Sequence, residues 1–197
     1  METEKYRGYT IEIEHSECHD SPRSWDNPGH MICFHPRYNL GDKHDFTVEG
    51  IKELVTKVAF SMPLFLYDHG GITMSCGPFS CHWDSGQVGY IYMTRGEADE
   101  ELPGYTDEQV MEFLTGQVET YNQYIMGEVY GFQIPGIEDS CSGFYGSNHE
   151  DSGLLDHARN GIDSHISYEN KRRFLRLKDL IRNNVPLFER SLILNNL

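Results

Sequence analysis

The amino-acid sequence predicts an α+β fold in a single domain, with a mostly antiparallel sheet of about five or six strands and three or four amphipathic helices. Short strand-like runs occur in groups, single helical periodicities separate the groups, and turn residues such as Pro135-Gly136 join neighbouring runs. A chain of 197 residues is long enough to bury one hydrophobic core. We expect the domain to span residues 1–185, followed by a C-terminal tail over residues 186–197.

The strands are predicted from alternation and from short apolar runs. Residues 64–67 and 72–74 flank a glycine-containing turn, which favours a hairpin or one kinked strand. Residues 88–93 are apolar at both alternating sets of positions, so this strand should be central and covered on both faces. The other predicted strands are residues 9–14, 30–35, 128–134 and 141–145, of which the last two should form a hairpin.

The helices are predicted from caps and from apolar positions three and four residues apart. Thr47 caps the first helix, and Thr106 with Gln109 forms a capping box at the start of a longer one. Residues 96–104 between them are predicted as an acidic surface loop. Two more helices follow, one over residues 154–166 and a basic amphipathic helix over about residues 168–183.

We interpret the turn Trp83-Asp84-Ser85-Gly86, before the predicted central strand, chiefly as structural, with a functional role as the alternative. In the structural interpretation, Asp84 binds backbone amides and Trp83 anchors the preceding loop. In the alternative, these residues contribute to a pocket. A serine nucleophile needs a base and an orienting carboxylate close by, and nothing in the sequence places them together, so we predict no catalytic residue. The candidate pocket residues are Trp25, His69, Trp83, Asp84 and Ser85.

The composition limits the classes of function. The chain has 31 acidic and 16 basic residues and a formal net charge of −15, which opposes non-specific binding to nucleic acid. It has no apolar run of about 18 residues and no signal-peptide pattern, so a cytoplasmic protein without a membrane partner is expected. Five cysteines without framework spacing fit reduced thiols.

Histidine and cysteine recur close together, as in His30-x-x-Cys33-x-His35, but the sequence has no Cys-x-x-Cys pair. Buried cysteines and surface histidines are therefore favoured over a zinc site. Walker A and Gly-x-Gly-x-x-Gly motifs do not occur in the sequence either. We predict no metal and no cofactor.

A strongly acidic segment runs from Glu97 to Glu119 without a lysine or an arginine. Part of this charge favours a helix N-terminus. The rest either faces water or binds the cationic groove of a protein that normally grips nucleic acid, because such a groove attracts negative charge. The predicted partner-binding residues are Glu97, Asp99, Glu100, Glu101, Asp107, Glu108 and Glu112.

The predicted basic helix reverses the sign of the charge, because its cations are accompanied only by Glu169 and Asp179. In one interpretation the helix is a phosphate-contacting stripe. In the other, which is favoured because an apolar stripe shows that one face is buried, the helix packs on the acidic remainder and its cations face acidic residues or simply water. The candidate nucleic-acid-binding residues are Lys171, Arg172, Arg173, Arg176 and Lys178.

Several phrases of the sequence are distinctive: SPRSWDN (residues 21–27), YNLGDKH (38–44), LYDHGGITM (66–74), CHWDSGQVG (81–89), DSCSGFYG (139–146) and RNNVPL (182–187). With these phrases, over nearly its whole length, the sequence resembles an uncharacterised family of small proteins encoded by bacteriophages, prophages and other mobile elements. It departs from the family pattern at His82, where proline is usual, and in the last ten or so residues, which are an addition. The resemblance implies a mobile-element setting and no particular catalytic residue.

Two hypotheses follow. In the first, the protein is a non-enzymatic inhibitor, of anti-CRISPR or antirestriction type, that binds a basic host nuclease or defence complex in the host cytoplasm through its acidic residues. In the alternative, it is a phage accessory protein that interacts with nucleotides or nucleic acid through the basic helix and the loops around Trp25, His69 and Trp83, whose rings would stack on bases. An enzyme ranks third.

Overall fold

The structure is a computed structural model that describes residues 1–17, 20–186 and 189. These residues fall into two compact units. Unit 1 contains Met1–Glu14, Gly131–Ser142 and the chain from Asn148 onwards, and unit 2 contains His15–Tyr130 and Gly143–Ser147. The predicted tail over residues 186–197 lies almost entirely outside the described residues.

The α+β class is confirmed, with eight strands and four α-helices among the described residues. The prediction of one sheet of five or six strands is wrong, because the strands form two four-stranded sheets. The strands are β1 (Glu2–Tyr6), β2 (Tyr9–His15), β3 (His30–Cys33), β4 (Phe60–Asp68), β5 (Ile72–Ser75), β6 (Ser85–Met93), β7 (Val129–Ile134) and β8 (Asp139–Tyr145). The helices are α1 (Val48–Val55), α2 (Arg95–Glu101), α3 (Asp107–Ile125) and α4 (Leu154–Asn184).

The sheet of unit 2 has the order β3-β6-β4-β5, with antiparallel pairing throughout. Ile91 and Met93 of β6 are fully buried in a core that α3 completes with Leu114. Tyr92 alternates with them and packs with Ile51 of α1 in a second buried cluster. The predicted central strand is therefore confirmed, with α3 on one face and α1 on the other.

A buried ion pair fixes the loop that precedes β3. The Arg23 side chain is 6% exposed and donates to the Asp42 carboxylate at 2.7 and 2.8 Å. It also donates to the Gly29 carbonyl at 2.6 Å and to Gln117 of α3 at 3.1 Å. Asp42 in turn accepts the backbone amide of Met31 at 2.7 Å. One guanidinium thus links two loops, β3 and α3.

The predicted helix caps are confirmed. The Thr47 hydroxyl accepts the Gly50 amide at 3.0 Å. Thr106 and Gln109 form a reciprocal capping box with distances of 2.9 and 3.3 Å. The prediction of a loop over residues 96–104 is wrong, because Thr94 opens α2 with a capping box of its own. α2 carries a single buried residue, so it shows little apolar periodicity.

Unit 1 contains α4 and most of the sheet β1-β2-β7-β8. The edge strand β1 was not predicted, because its sequence is mostly polar and exposed. α4 docks through polar contacts to the sheet, in which Arg159 binds Glu4 of β1 at 2.6 Å and the Tyr6 hydroxyl contacts Asp163 at 3.3 Å. The ring of His157 also lies 5.8 Å from the Phe132 ring of β7, centroid to centroid.

The two helices predicted near the chain end are one helix of 31 residues. Leu154, Leu155, Ala158 and Ile162 give its first half a buried stripe, which ends where the sequence becomes polar. No glycine or proline follows Gly161 before Pro186, so the backbone continues as a helix although the stripe is lost. Within the described residues, none of the helices has the length and apolar character needed to cross a bilayer.

Candidate functional site

The acidic residues predicted to bind a partner lie on α2 and at the start of α3, in unit 2. Arg95, at the start of α2, binds both carboxylate oxygens of Asp107, at the start of α3, at 2.6 and 2.9 Å. This hydrogen-bonded pair lowers the pKa of the Asp107 carboxyl. Asp107 is therefore used within the protein to join the two helices.

Glu97 is also committed internally. Its carboxylate accepts the Thr94 backbone amide at 2.8 Å and hydroxyl at 2.7 Å in the capping box of α2, and it contacts the His30 ring nitrogen at 2.8 Å. Partial burial opposes ionisation of Glu97, but the hydrogen bonds from His30 and Thr94 outweigh it, so its pKa is lowered. Two of the seven predicted residues thus stabilise the fold instead of facing a partner.

The remaining five predicted residues are exposed and make no hydrogen bond or ion pair with any described residue. Glu119 shares these properties and lies on the same side of α3 as Glu108 and Glu112, since residues four and eleven positions apart nearly eclipse on a helix. Sequence reasoning had placed it in the acidic segment but not among the binding residues. We name the following set the acidic face: Asp99, Glu100, Glu101, Glu108, Glu112 and Glu119.

We expect Glu97→Gln to weaken the acid dependence of stability. The folded-state pKa of Glu97 lies below its ordinary value of 4.5. Its contribution is therefore complete above that value and is lost as the pH falls through the lower folded-state pKa. Thermal melts from pH 7 to pH 3 should show a smaller fall in Tm for the variant than for the wild type. Equal falls would contradict the role assigned to Glu97.

The second candidate is a cleft of about 390 Å³ in unit 2, where the loop after β3, the end of β4 and the start of β6 meet. Phe34, Leu66 and Val88 give it an apolar lining. Asp68 and Asp84 contribute carboxylates. A cleft of this size, with an apolar lining and a few polar groups, has the ordinary character of a small-molecule site.

Asp84 does not play the role predicted for it. Its Oδ2 atom contacts the His69 Nδ1 atom at 3.3 Å and the Cys81 thiol at 3.5 Å, so its partners are side chains and not backbone amides. The interpretation of Trp83 as a buried anchor is also wrong, because its side chain is 96% exposed beside the cleft. The residues of this turn therefore belong to the cleft.

The candidate pocket is only partly assembled. Trp83, Asp84 and Ser85 line the cleft. His69 is not among the lining residues, but it contacts Asp84. Trp25 lies elsewhere in unit 2, with its ring 5.3 Å from that of Tyr145. The sequence did not indicate that Trp25 lies apart from the other four residues, because both tryptophans precede an aspartate in similar turns.

Opposite Asp84, the loop after β3 supplies a second polar wall. Arg37 forms an ion pair with Asp68, whose other oxygen lies 3.3 Å from the Tyr38 hydroxyl. The Nδ1 atom of His35 accepts the backbone amides of Arg37 and Tyr38 at 3.3 and 3.2 Å, which places the ring proton on Nε2. Sequence reasoning did not assign Arg37, Tyr38 or Asp68 to a site, because Asp68 lies about thirty positions from its two partners in the chain.

The chemistry of the cleft favours binding over nucleophilic catalysis. The Ser85 hydroxyl donates to the Cys81 carbonyl at 2.5 Å, so its proton is already committed. His69 and Asp84 form a base-like pair, but a triad would need the serine to donate to the imidazole. No cluster of three or more histidine, cysteine, aspartate or glutamate residues suited to a metal ion occurs in the described part of the chain.

We expect Asp84→Ala to change the free energy of unfolding by less than about 0.5 kcal/mol, because its only polar partners are partly exposed side chains. The Asp84 side chain is 38% exposed and that of His69 is 70% exposed. Urea denaturation followed by circular dichroism measures the change. A loss of more than about 1 kcal/mol would restore the structural interpretation of this turn.

The cleft and α2 lie at opposite ends of β6. The cleft lies at the start of β6, and α2 begins directly after the end of this strand. Nine extended residues cover roughly 26 Å, so no small ligand can touch both the cleft and the α2 carboxylates.

The third candidate is the basic part of α4, in unit 1. Every residue from Lys171 to Leu180 is exposed, whereas Ile181 directly after them is buried. Arg172 pairs with Glu169 at 2.9 Å. The four other predicted nucleic-acid-binding residues, and Arg182 beyond them, have no hydrogen bond or ion pair to any described residue. Apart from Arg172, these cations therefore face water and not acidic residues of the described chain.

Comparisons of the chain with protein-family models, with curated proteins and with solved structures found no match. Four of the six distinctive phrases of the sequence come together in pairs in the structure. SPRSWDN and YNLGDKH supply the Arg23–Asp42 pair, and LYDHGGITM and CHWDSGQVG supply one side of the cleft. The geometry and the charges of the described residues are therefore what indicate a function.

Proposed function

We propose that the protein is a non-enzymatic binding protein whose acidic face occupies the cationic surface of a nucleic-acid-handling protein. The observation that carries this proposal is the set of six exposed carboxylates that have no hydrogen bond or ion pair with a described residue. Arg95, which is close to them in the sequence, is already paired with Asp107. Unpaired charges of one sign attract a surface of the opposite sign and steer its approach.

The distribution of charge supports this proposal. Unit 2 has 18 acidic and 6 basic residues, so it accounts for −12 of the net charge of −15. Along α3, Glu108, Glu112 and Glu119 follow one another at intervals of about 6 and about 10 Å. A rigid row of negative charge on this scale can bind a groove that normally holds a phosphate backbone.

The mobile-element setting implied by the resemblance supports the class of partner. A phage or prophage gains from blocking a host nuclease or defence complex, and such proteins have basic grooves for nucleic acid. We therefore propose inhibition of host defence, of anti-CRISPR or antirestriction type, as the biological role. To bind such a partner, the protein must be present in the host cytoplasm.

The test is charge reversal of the acidic face. Wild-type protein immobilised on beads is incubated with a lysate of the host, and basic proteins that elute with salt are identified and purified. Titration calorimetry then compares the wild type with the variant Glu100→Lys, Glu108→Lys, Glu112→Lys. We expect the variant to bind at least about a hundredfold more weakly, because each reversed charge adds repulsion at the interface.

The matched control is the variant Asp20→Lys, Asp26→Lys, Asp45→Lys. These carboxylates are also exposed and lie in unit 2, and the change in net charge is the same. The control should retain affinity within a few fold. Equal loss in both variants would show a general effect of net charge, and unchanged binding by the acidic-face variant would refute the proposal.

The cleft favours a second function, binding of a ligand that has an aromatic ring. Trp83 offers an almost fully exposed ring beside polar groups that can read the edge of a nucleobase. Titration of nucleosides should quench the fluorescence of Trp83, and the quench should persist in Trp25→Phe and vanish in Trp83→Phe. The absence of any response at millimolar nucleoside would rule this function out.

A further inference from the structure

The distal half of α4 has the surface of a helix that docks on a partner. Phe174, Leu175, Leu177 and Leu180 are between 39% and 60% exposed, in a helix segment of ten consecutive exposed residues. A helix of a folded protein normally buries its apolar side chains, and a contiguous exposed apolar patch marks an interaction surface.

The charge on this segment limits which kind of partner can bind to it. Lys171, Lys178 and Arg182 lie within about 40° of one another around the helix axis and have no partner among the described residues. Pairing two α4 helices side by side would bring like charges together. A nucleic acid would neutralise the cations but would leave Phe174 and Leu175, on either side of the row, without an apolar contact. The occupant must be acidic and must accept bulky apolar groups.

The acidic face of a second copy of this chain has both properties. We propose that the distal half of α4 docks antiparallel along α3 of a second copy. On α3, Glu108, Glu112 and Glu119 are separated by four and then seven residues. On α4, Lys171, Lys178 and Arg182 are separated by seven and then four residues. Both helices rise equally per residue, so in an antiparallel arrangement three ion pairs form in one register.

The register follows from the spacing. Arg182 meets Glu108 of the other copy, Lys178 meets Glu112, and Lys171 meets Glu119. Each of these six side chains is exposed and unpaired in the described structure. An ion pair at a surface contributes little by itself, so the apolar contacts in the same register must supply much of the affinity.

Those contacts involve small residues of α3. The same register brings Phe174 to the level of Gly116 and Leu175 to the level of Thr115. Because the helices are antiparallel, Leu175 lies on the side of Gly116 and Phe174 lies on the side of Thr115. Nothing lies within 4 Å of the position that a Cβ atom would take at Gly116, so the α3 surface is open there to Leu175. Bulky groups that pack against small ones allow two helices to approach closely.

This association goes beyond the proposed function and covers part of the same acidic face. A docked second copy and a bound partner therefore compete for Glu108, Glu112 and Glu119. Reciprocal docking of two copies gives a closed dimer, and one-way docking gives an open chain. Both increase with protein concentration and weaken with salt.

The experiment is sedimentation velocity of the full chain at about 0.05 M and about 0.5 M salt, over a range of protein concentration. We expect concentration-dependent association at low salt that is weakened at least tenfold at high salt. Two charge-reversed variants test the register: Lys171→Glu, Lys178→Glu, Arg182→Glu on α4, and Glu108→Lys, Glu112→Lys, Glu119→Lys on α3. Each alone should be monomeric, and their equimolar mixture should associate again.

A third variant separates packing from charge. Gly116→Leu leaves every charge in place and suits a partly exposed helix position, but it fills the space that Leu175 of the docked copy would occupy. It should weaken association at least about tenfold without lowering Tm. A wild type that stays monomeric at low salt, a mixture of the charge-reversed variants that does not associate, or binding of duplex DNA in place of self-association would overturn the proposal.

Discussion

Gly89→Ala is expected to lower the free energy of unfolding by about 3 kcal/mol and Tm by about 6–12 °C. Gly89 lies on the central strand β6, opposite Cys33 of β3 and Leu64 of β4. A Cβ atom at Gly89 would lie 1.9 Å from the Ile32 carbonyl oxygen and 2.9 Å from the Cys33 Cα atom. These atoms are backbone, so β3 itself must move to make room.

The matched control is Gly86→Ala on the same strand. No atom lies within 4 Å of the corresponding Cβ position, and no left-handed φ is required there. We expect a change of less than about 0.5 kcal/mol. Differential scanning calorimetry of both variants gives the comparison. If the two alanines have the same effect, the close approach of β3 to β6 is not what requires glycine at position 89.

Arg23→Met is expected to cost about 3–5 kcal/mol, because it leaves the Asp42 carboxylate without its cation in a largely enclosed site. The side chains of Arg23 and Asp42 are 6% and 24% exposed. The Gly29 carbonyl and the Gln117 side chain would also lose their donor. Urea denaturation measures the loss.

The double variant Arg23→Met, Asp42→Asn tests whether the cost comes from the unpaired charge. It should be more stable than Arg23→Met alone, because the amide can keep the Met31 hydrogen bond without carrying a charge. Arg37→Met is the control for an exposed pair. Arg37 is 67% exposed, and its pair with Asp68 should contribute less than about 1 kcal/mol. A loss at Arg37 equal to that at Arg23 would show that burial does not decide the cost.

Local signals in the sequence predicted local structure well. Thr106 and Gln109 satisfy each other within one helical turn, so their capping box is visible in four residues. The central position of β6 was visible because both of its alternating faces are apolar. The division of the strands into two sheets was not, because strand partners depend on pairing over long separations.

The candidate sites show the same difference between local signals, which the sequence reveals, and long-range contacts, which it does not. The exposed carboxylates were visible as a run of acidic residues, but the internal partners of Glu97 and Asp107 were not. Asp84 finds His69, fifteen positions earlier, only because antiparallel pairing of β4 and β6 brings their turns together. The exposure of Trp83 left no signal in the sequence, since a tryptophan after a loop more often anchors it.

The close approach of β3 to β6 at Gly89 has a consequence for the two ends of β6. This strand connects the cleft at its start to α2 at its end. A shift of β6 along its sheet would couple these two ends, and the close approach of Gly89 to β3 opposes such a shift. β6 is therefore a fixed spacer between the cleft and α2.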